Sequence, residues 1–507
     1  MIIPSPRRGP ILALGVLAAV GGTGVALQYH WLGLTLSHYD ARGHLVVARR
    51  IIDSITPGWQ QIGAVWLPLP HLLNALPVQI DAFYRTGASA VAISIASFSV
   101  AVAAIAWIVA ALTGSLWAGA AGAAVFALNP NVLYLQSTPM TEPLLVALTL
   151  LAVALLVAWC RDDKPSRTTG AWTGIALALA CLTRYEAWPV AASALAVAAW
   201  ARWRAGDRVR AAIAAVAPIA AYPAAAVAAF AIFSRIVVGT WFADDFFVPE
   251  NPAEGHPLQS VVLILWGTRV LSGYGLTWMA GLGAVLLLAV GLCRRCEGTA
   301  LLPLALLASA SVPWTAFLDG HPYRIRYMVP LLAAEAVCAG VAAGYWRRGR
   351  GLTLAILLAV LAVELHPLDA SAPMVTEAQW DRPNIAARDA VTRCLAPEYR
   401  GDTVMVSMGS LGHYMQDLSR SGFQLRDFLH EGNGDIWLNA LHDPRPYVGW
   451  ILVEEKAEGG DMLAKRAREN PAFLAGFSRV CEAAGLALYR RHLTAPVATA
   501  GSVRTGY

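Results

Sequence analysis

Apolar residues come in long blocks over the first 365 positions. They fall near 11–29, 88–112, 116–135, 143–160, 170–183, 187–201, 211–233, 275–293, 300–318, 328–345 and 352–365. An α-helix needs about 20 apolar residues to cross the hydrocarbon core of a bilayer. The pattern therefore predicts about eleven transmembrane helices. The blocks at 170–183, 187–201 and 352–365 are short and imply tilt, partial re-entry or interfacial extension. The first block follows Arg7 and Arg8, as a secretory signal would. It is long, lacks a small-residue cleavage site and precedes ten more blocks, so it reads as a retained helix.

Two segments have a different rhythm. Between 41 and 54, Leu45, Val46, Ala48, Ile51 and Ile52 recur at helical spacing, with Arg49, Arg50 and Asp53 between them. That predicts a helix lying along a membrane surface. The run 258–270 predicts a second, ended by Arg269 and a break at Ser272-Gly273-Tyr274-Gly275. The first belongs to a long loop, 31–87, rich in Pro and Trp, where Trp59 and Trp66 read as interfacial anchors.

Beyond 365 the pattern changes. Thr403-Val404-Met405-Val406, the run 447–453 and Leu486-Ala487-Leu488-Tyr489 read as strands, and 461–477 reads as a helix. The expectation is a small α/β domain over 366–507, following a transmembrane domain over 1–365.

Composition agrees. Hydrophobic residues are 57% and charged residues 14%, against about 25% charged in soluble domains. An ordinary soluble enzyme is excluded. The net charge of +5 is topological. With Arg7 and Arg8 inside, eleven spans put Arg161/Lys164/Arg167, Arg202/Arg204/Arg208/Arg210, Arg294/Arg295 and Arg347/Arg348/Arg350 on the same side. This satisfies the positive-inside rule. It places the N-terminus in the cytoplasm, the tail and Asp40 outside, and gives no reason to expect nucleic-acid binding. Cys293 and Cys296 form a lone CxxC, too few ligands for zinc. Cys160, Cys181 and Cys338 read as packing residues, and Cys394 and Cys481 share the outer tail, where a disulfide can form.

Four polar clusters sit at outer ends of spans. They are His38-Tyr39-Asp40, Ser137 to Pro143 with Glu142, Thr183-Arg184-Tyr185-Glu186, and His321 to Tyr327 with Arg324 and Arg326. Arginine's rigid fork suits a phosphate, and a carboxylate can deprotonate a hydroxyl or amine. Each has a plainer reading. Asp40 could cap a helix or pair with Arg42, Glu142 could start its helix, and Arg184 and Glu186 could form a turn salt bridge. His38, His44, His71 and His321 are weaker candidates.

An Asp soon after the first span, Pro139-Met140-Thr141-Glu142-Pro143 at the mouth of another, and Arg326-Tyr327-Met328-Val329-Pro330 at a third resemble the GT-C glycosyltransferases. The layout is similar to bacterial protein O-mannosyltransferases and aminoarabinose transferases over 11–365. The resemblance implies a polyprenyl-phosphate sugar donor, an unknown glycan, lipid or protein acceptor, and a bacterial plasma-membrane location. It implies Asp40 as base or metal ligand, with Glu142 assisting. Arg324, Arg326 and Arg184 would hold the donor phosphate. His38, Tyr39, Glu186, Tyr327 and His321 would bind substrate. Many relatives have two adjacent acids in the first loop; here Ala41 follows Asp40, which favours a base over a divalent-metal site. Many have Asp at the place of Glu142. A transporter or flippase would instead set charges at mid-membrane, often in paired repeats, and a scaffold would need no Asp40.

Overall fold

The computed structural model describes residues 6–63, 65–162, 165–237, 239, 241, 251–456 and 460–492. The chain packs as two units. One holds the chain to Arg382 except Ser54–Thr56, and the other holds Ser54–Thr56 and the chain from Pro383.

The first unit opens with α1 (Arg8–Trp31), followed in its long loop by α2 (Tyr39–Arg50), α3 (Leu69–Asn74) and α4 (Asp81–Thr86). The bundle then runs through α5 (Ala88–Thr113), α6 (Leu116–Ala127), α7 (Pro130–Leu135), α8 (Glu142–Arg161), α9 (Arg167–Cys181), α10 (Ala187–Ala205) and α11 (Val209–Val237). It continues with α12 (Pro257–Ser272), α13 (Tyr274–Cys293), a 3-10 stretch at Arg295–Ala310, α14 (Ser311–Leu318), α15 (Leu331–Tyr345), α16 (Arg350–Glu364) and the short α17 (Pro373–Glu377). Helices thus occur at every apolar block. Six helical segments among the described residues are long and apolar enough to cross a membrane by length and composition, including Glu297–Leu318, which joins most of the 3-10 stretch to α14. The block 116–135 is broken. Asn129 accepts from the backbone N–H groups of Asn131 and Val132, and Pro130 starts α7, so one helix ends and another is capped.

The core lies where α5, α6, α8 and α15 meet, and Leu331 to Gly344 of α15 are all buried. Helices α1 and α13 instead turn Leu12, Leu17, Val20, Leu282 and Val285 outward, as lipid-facing helices do. Close packing around α15 depends on missing side chains. Gly122 of α6 abuts Gly340, and Gly283 of α13 lies against the Cys338 carbonyl, where a Cβ would collide. At one end of this unit, arginines bond the last carbonyls of neighbouring helices: Arg161 to Ala111, Arg204 to Leu292, and Arg350 to Thr113 and Gly344.

Two expectations change here, and one holds. Helix α2 does not lie with one face open, since ten of its twelve residues are buried. Its arginines point into protein, where Arg49 pairs with Asp53 and Asp81 and Arg50 donates to the Gln61 and Ile62 carbonyls. Residues 366–382, read with the tail, pack with the first unit, and Ala372, Met374, Val375 and Ala378 join its core. Helix α12 does expose Leu258, Val262 and Leu265, and the chain breaks at Gly273 as expected. The Glu364 carboxylate then accepts from the Gly275 and Leu276 N–H groups to cap α13.

The second unit contains α18 (Arg382–Leu395, from its second residue on), β1 (Val404–Val406), α19 (Met408–Leu418), β2 (Phe428–Leu429), α20 (Asp435–His442), β3 (Trp450–Glu454), α21 (Met462–Glu469), β4 (Phe477–Ala483) and β5 (Leu486–Arg491). The sheet order is β2-β1-β3-β5-β4. The first three strands are parallel and the last two add antiparallel. Two strands were not visible in the sequence. β2 has only two residues, and β4 is an edge strand whose residues after Phe477 are half-buried or exposed. The helix expected over 461–477 stops at Glu469, because Pro471 cannot continue it. Cys394 and Cys481 form a disulfide joining α18 to β4. Cys160, Cys181, Cys293 and Cys338 are free, and Lys164 lies outside the described residues, as does the Cys296 side chain.

Gly283→Val should lower the thermal unfolding midpoint in detergent, a destabilisation of about 1–3 kcal/mol for overpacking. Gly281→Ala two residues away, where a Cβ meets nothing within 4 Å, should leave the midpoint unchanged.

Candidate active site

Asp40 stands in the first turn of α2, but it does not cap the helix. The cap is His38, whose Nδ1 accepts from the Asp40 N–H at 3.1 Å. Nor does Asp40 pair with Arg42, which reaches Asp381 at 3.4 Å. Its partner is Arg326, from the 3-10 turn Ile325–Met328. Both side chains are buried, so each offsets part of the desolvation cost of the other. Burial alone would raise the Asp40 carboxyl, but Arg326, His38 and His44 outweigh it and hold it at about 2.

The second charge group joins two other predicted clusters. Arg184, in the turn between α9 and α10, donates to Glu142 at 3.0 Å and to Glu186 at 2.7 Å. It also bonds the Thr141 hydroxyl at 3.1 Å. The turn salt bridge is therefore real but extends to the first residue of α8. One oxygen of Glu142 has no hydrogen-bond partner among the described residues. The two groups feel each other, since Arg184 repels Arg326 and Glu142 attracts it. Arg326, Arg184, Asp40, Glu142 and Glu186 thus form one set of opposed charges, buried except for the half-buried Arg184.

The remaining residues flank that set. Tyr39 stacks on His38 with ring centroids 4.9 Å apart. Its hydroxyl is pushed up by burial and by Asp40, with Arg326 and Arg324 acting the other way. Arg324 departs from its neighbour Arg326 and lies 5.4 Å over the Trp380 ring. Tyr327 bonds His321 Nε2 at 3.3 Å, and His321 Nδ1 meets the Pro322 carbonyl at 2.8 Å. Among the described residues, no three His, Cys, Asp or Glu side chains gather into a group able to hold a metal ion.

Sequence reasoning missed Glu377. It lies at the end of α17, is 6% exposed, and accepts from the Ile325 N–H at 2.9 Å between the two arginines. Its other oxygen lies 3.8 Å from His38 Nε2. It therefore holds the turn that carries Arg326 and stands beside His38, the cap of the helix that carries Asp40. Nothing in the local pattern of 366–382 announces this, because the segment becomes part of the site only by packing.

The first unit is a helical bundle that gathers opposed charges near helix ends. Residues 79–249 match the family described as dolichyl-phosphate-mannose-protein mannosyltransferase. The match includes Glu142, Arg184 and Glu186 but ends before Arg326 and begins after Asp40. ArnT from Cupriavidus metallidurans is similar in structure over 93% of this chain and 97% of its own. The undecaprenyl phosphate-bound form has a TM-score of 0.54 at 12% identity, and the apo form 0.56 at 13%. No curated protein sequence matches the chain. Both similarities point toward GT-C membrane glycosyltransferases, the family match over residues 79–249 and the structural likeness in fold.

Two measurements check the charge set. Arg184→Met should cost about 3–5 kcal/mol in unfolding free energy, because it strands buried carboxylates; adding Glu142→Gln and Glu186→Gln should recover part of that loss. The depressed Asp40 value contributes stability that is complete above its ordinary 3.8 and lost as pH falls through about 2. The gap in unfolding midpoint between wild type and Asp40→Asn should therefore hold steady from pH 7 to near 4 and narrow below it.

Proposed function

We propose that this protein moves a sugar from a polyprenyl-phosphate carrier to an acceptor hydroxyl or amine at the outer face of a bacterial plasma membrane. The observation that carries this reading is the buried pairing of Arg326 with Asp40 beside Arg184 with Glu142 and Glu186. Two guanidiniums in one water-poor place suit a phosphate diester, and a carboxylate beside them suits proton removal.

The chemistry runs with inversion. The acceptor oxygen or nitrogen forms a bond to the anomeric carbon, the bond from that carbon to the phosphate oxygen breaks, and the electron pair leaves on the phosphate. The acceptor's proton passes to Asp40. While Arg326 holds it, Asp40 is a weak base. Arrival of the donor phosphate at Arg326 gives the guanidinium a second anion to share, so Asp40 loses part of its counter-ion and gains proton affinity. Glu142, one oxygen of which has no hydrogen-bond partner among the described residues, orients the acceptor. Arg184 and Arg324 complete the phosphate contacts, and His38, Tyr39, Glu186, Tyr327 and His321 shape the surroundings of the sugar.

All eleven apolar blocks cross the membrane in this reading, with the basic helix ends in the cytoplasm. The pairing of Cys394 with Cys481 favours an oxidising outer compartment for the tail.

Purified protein should transfer sugar from one of a panel of undecaprenyl-phosphate donors (mannosyl, glucosyl, aminoarabinosyl) to an acceptor in a membrane-envelope extract. Asp40→Asn should reduce that transfer by about 100-fold or more while its unfolding remains cooperative. Transfer at near the wild-type rate in this variant would remove Asp40 from the mechanism. Arg326→Met should weaken binding of undecaprenyl phosphate by about 10- to 100-fold, the loss of one charge-assisted bond.

A further inference from the structure

His44 lies one helical turn beyond Asp40, on the same face of α2. Its Nδ1 is 3.1 Å from Nε2 of His71, in α3. His71 Nδ1 is in turn 3.0 Å from the Leu67 carbonyl. This short chain of contacts has only one polarity when both rings are neutral. A carbonyl only accepts, so His71 Nδ1 carries the hydrogen and His71 Nε2 must accept. His44 Nδ1 must then donate, and His44 Nε2 is left with a bare lone pair.

The rings are held as well as polarised. Trp66 packs on His44 with centroids 4.2 Å apart and reaches across to His71. It fits there because Gly43 has no side chain; a Cβ would come within 2.9 Å of the indole. Burial keeps both rings neutral. It lowers His71 to about 3, with Arg50 adding to the effect, and it takes His44 well below its ordinary value, helped by His71, Arg184 and Arg326 against Asp40. Among the described residues His44 Nε2 has no hydrogen-bond partner, yet the residue keeps 6% of its surface open. A fixed acceptor that is still reachable from outside, within electrostatic reach of Arg184, Arg326 and Asp40, is placed to take a donor from a bound molecule.

We propose that His44 Nε2 accepts a hydroxyl hydrogen of the sugar carried on the lipid phosphate, and that His71 is the positioning residue that makes it an acceptor. This rests on the donor reading above: if the arginines take the phosphate, the group nearest to them is the sugar that phosphate bears. His44 then recognises the sugar, and the arginines recognise the lipid head.

The test compares two ligands on the full-length protein in detergent: undecaprenyl phosphate, and the tightest-binding of its mannosyl, glucosyl and aminoarabinosyl derivatives. Wild type should bind the sugar-bearing lipid more tightly than the bare one. His44→Leu should weaken the sugar-lipid about tenfold, the worth of one hydrogen bond, and leave undecaprenyl phosphate unchanged. His71→Leu should do the same, while His71→Gln, whose side-chain carbonyl can still accept from His44 Nδ1, should return affinity to within about threefold. Equal weakening toward both ligands, or no weakening toward the sugar-lipid in a folded His44→Leu, would overturn the assignment. So would failure of His71→Gln to restore what His71→Leu removes. Should the leucine variants not fold, the ring-nitrogen NMR shift of His44 Nε2 in wild type must move with the sugar-lipid and not with undecaprenyl phosphate; no such difference overturns it. Wild type that binds neither lipid defeats the donor reading itself.

Discussion

The structure of the first unit turns on one constraint: a charge withdrawn from water must be met by its opposite. Asp40 and Arg326 meet it for each other across 286 positions of chain. Satisfying it fixes the start of α2 against the mouth of α15. His38 then caps α2, and Glu377 braces the turn that carries Arg326. Arg184 obeys the same constraint with two carboxylates, which ties the α9–α10 turn to the head of α8. Loops that would otherwise be free to vary are thereby locked to helix ends. The turns that carry Arg184 and Arg326 become as well defined as the helix ends that carry Asp40 and Glu142.

Much of this was legible in the chain. Long apolar blocks report helices directly, because a bilayer leaves the backbone few other ways to satisfy its hydrogen bonds. Asp40, Glu142, Arg184 and Arg326 stood out because charge is expensive near such blocks. What failed to show has physical reasons. Helix α2 has the amphipathic period of a surface helix, but its polar face is buried against partners, Asp81 and the Gln61 carbonyl, that lie elsewhere in the loop. Glu377 resembles any acid in a polar linker until its segment folds into the bundle. The His44–His71 contact joins two residues 27 positions apart, a separation with no periodic signature. β4 has too few buried positions to alternate visibly.

The comparison with ArnT makes a related point. At 12% identity the plan extends over 93% of the chain. An architecture of apolar helices is specified by the placing of hydrophobic length and of small residues such as Gly122, Gly283 and Gly340, and by few individual side chains beyond these. The charge pairs are the reverse: each depends on a particular side chain, as Asp40 does on Arg326 and Arg184 on Glu142 and Glu186.

The distance along the chain between Asp40 and Arg326 also has a temporal meaning. Synthesis proceeds from the N-terminus, so when the first loop emerges beside the membrane its counter-ion has not yet been made. Helix α2 must remain hydrated, or borrow another cation, until most of the bundle has been inserted. Arrival of the last helices would then do more than complete a scaffold: it would close the loop over its charges. A nascent chain arrested before Arg326 would carry most of the spanning segments and still leave Asp40 without its counter-ion.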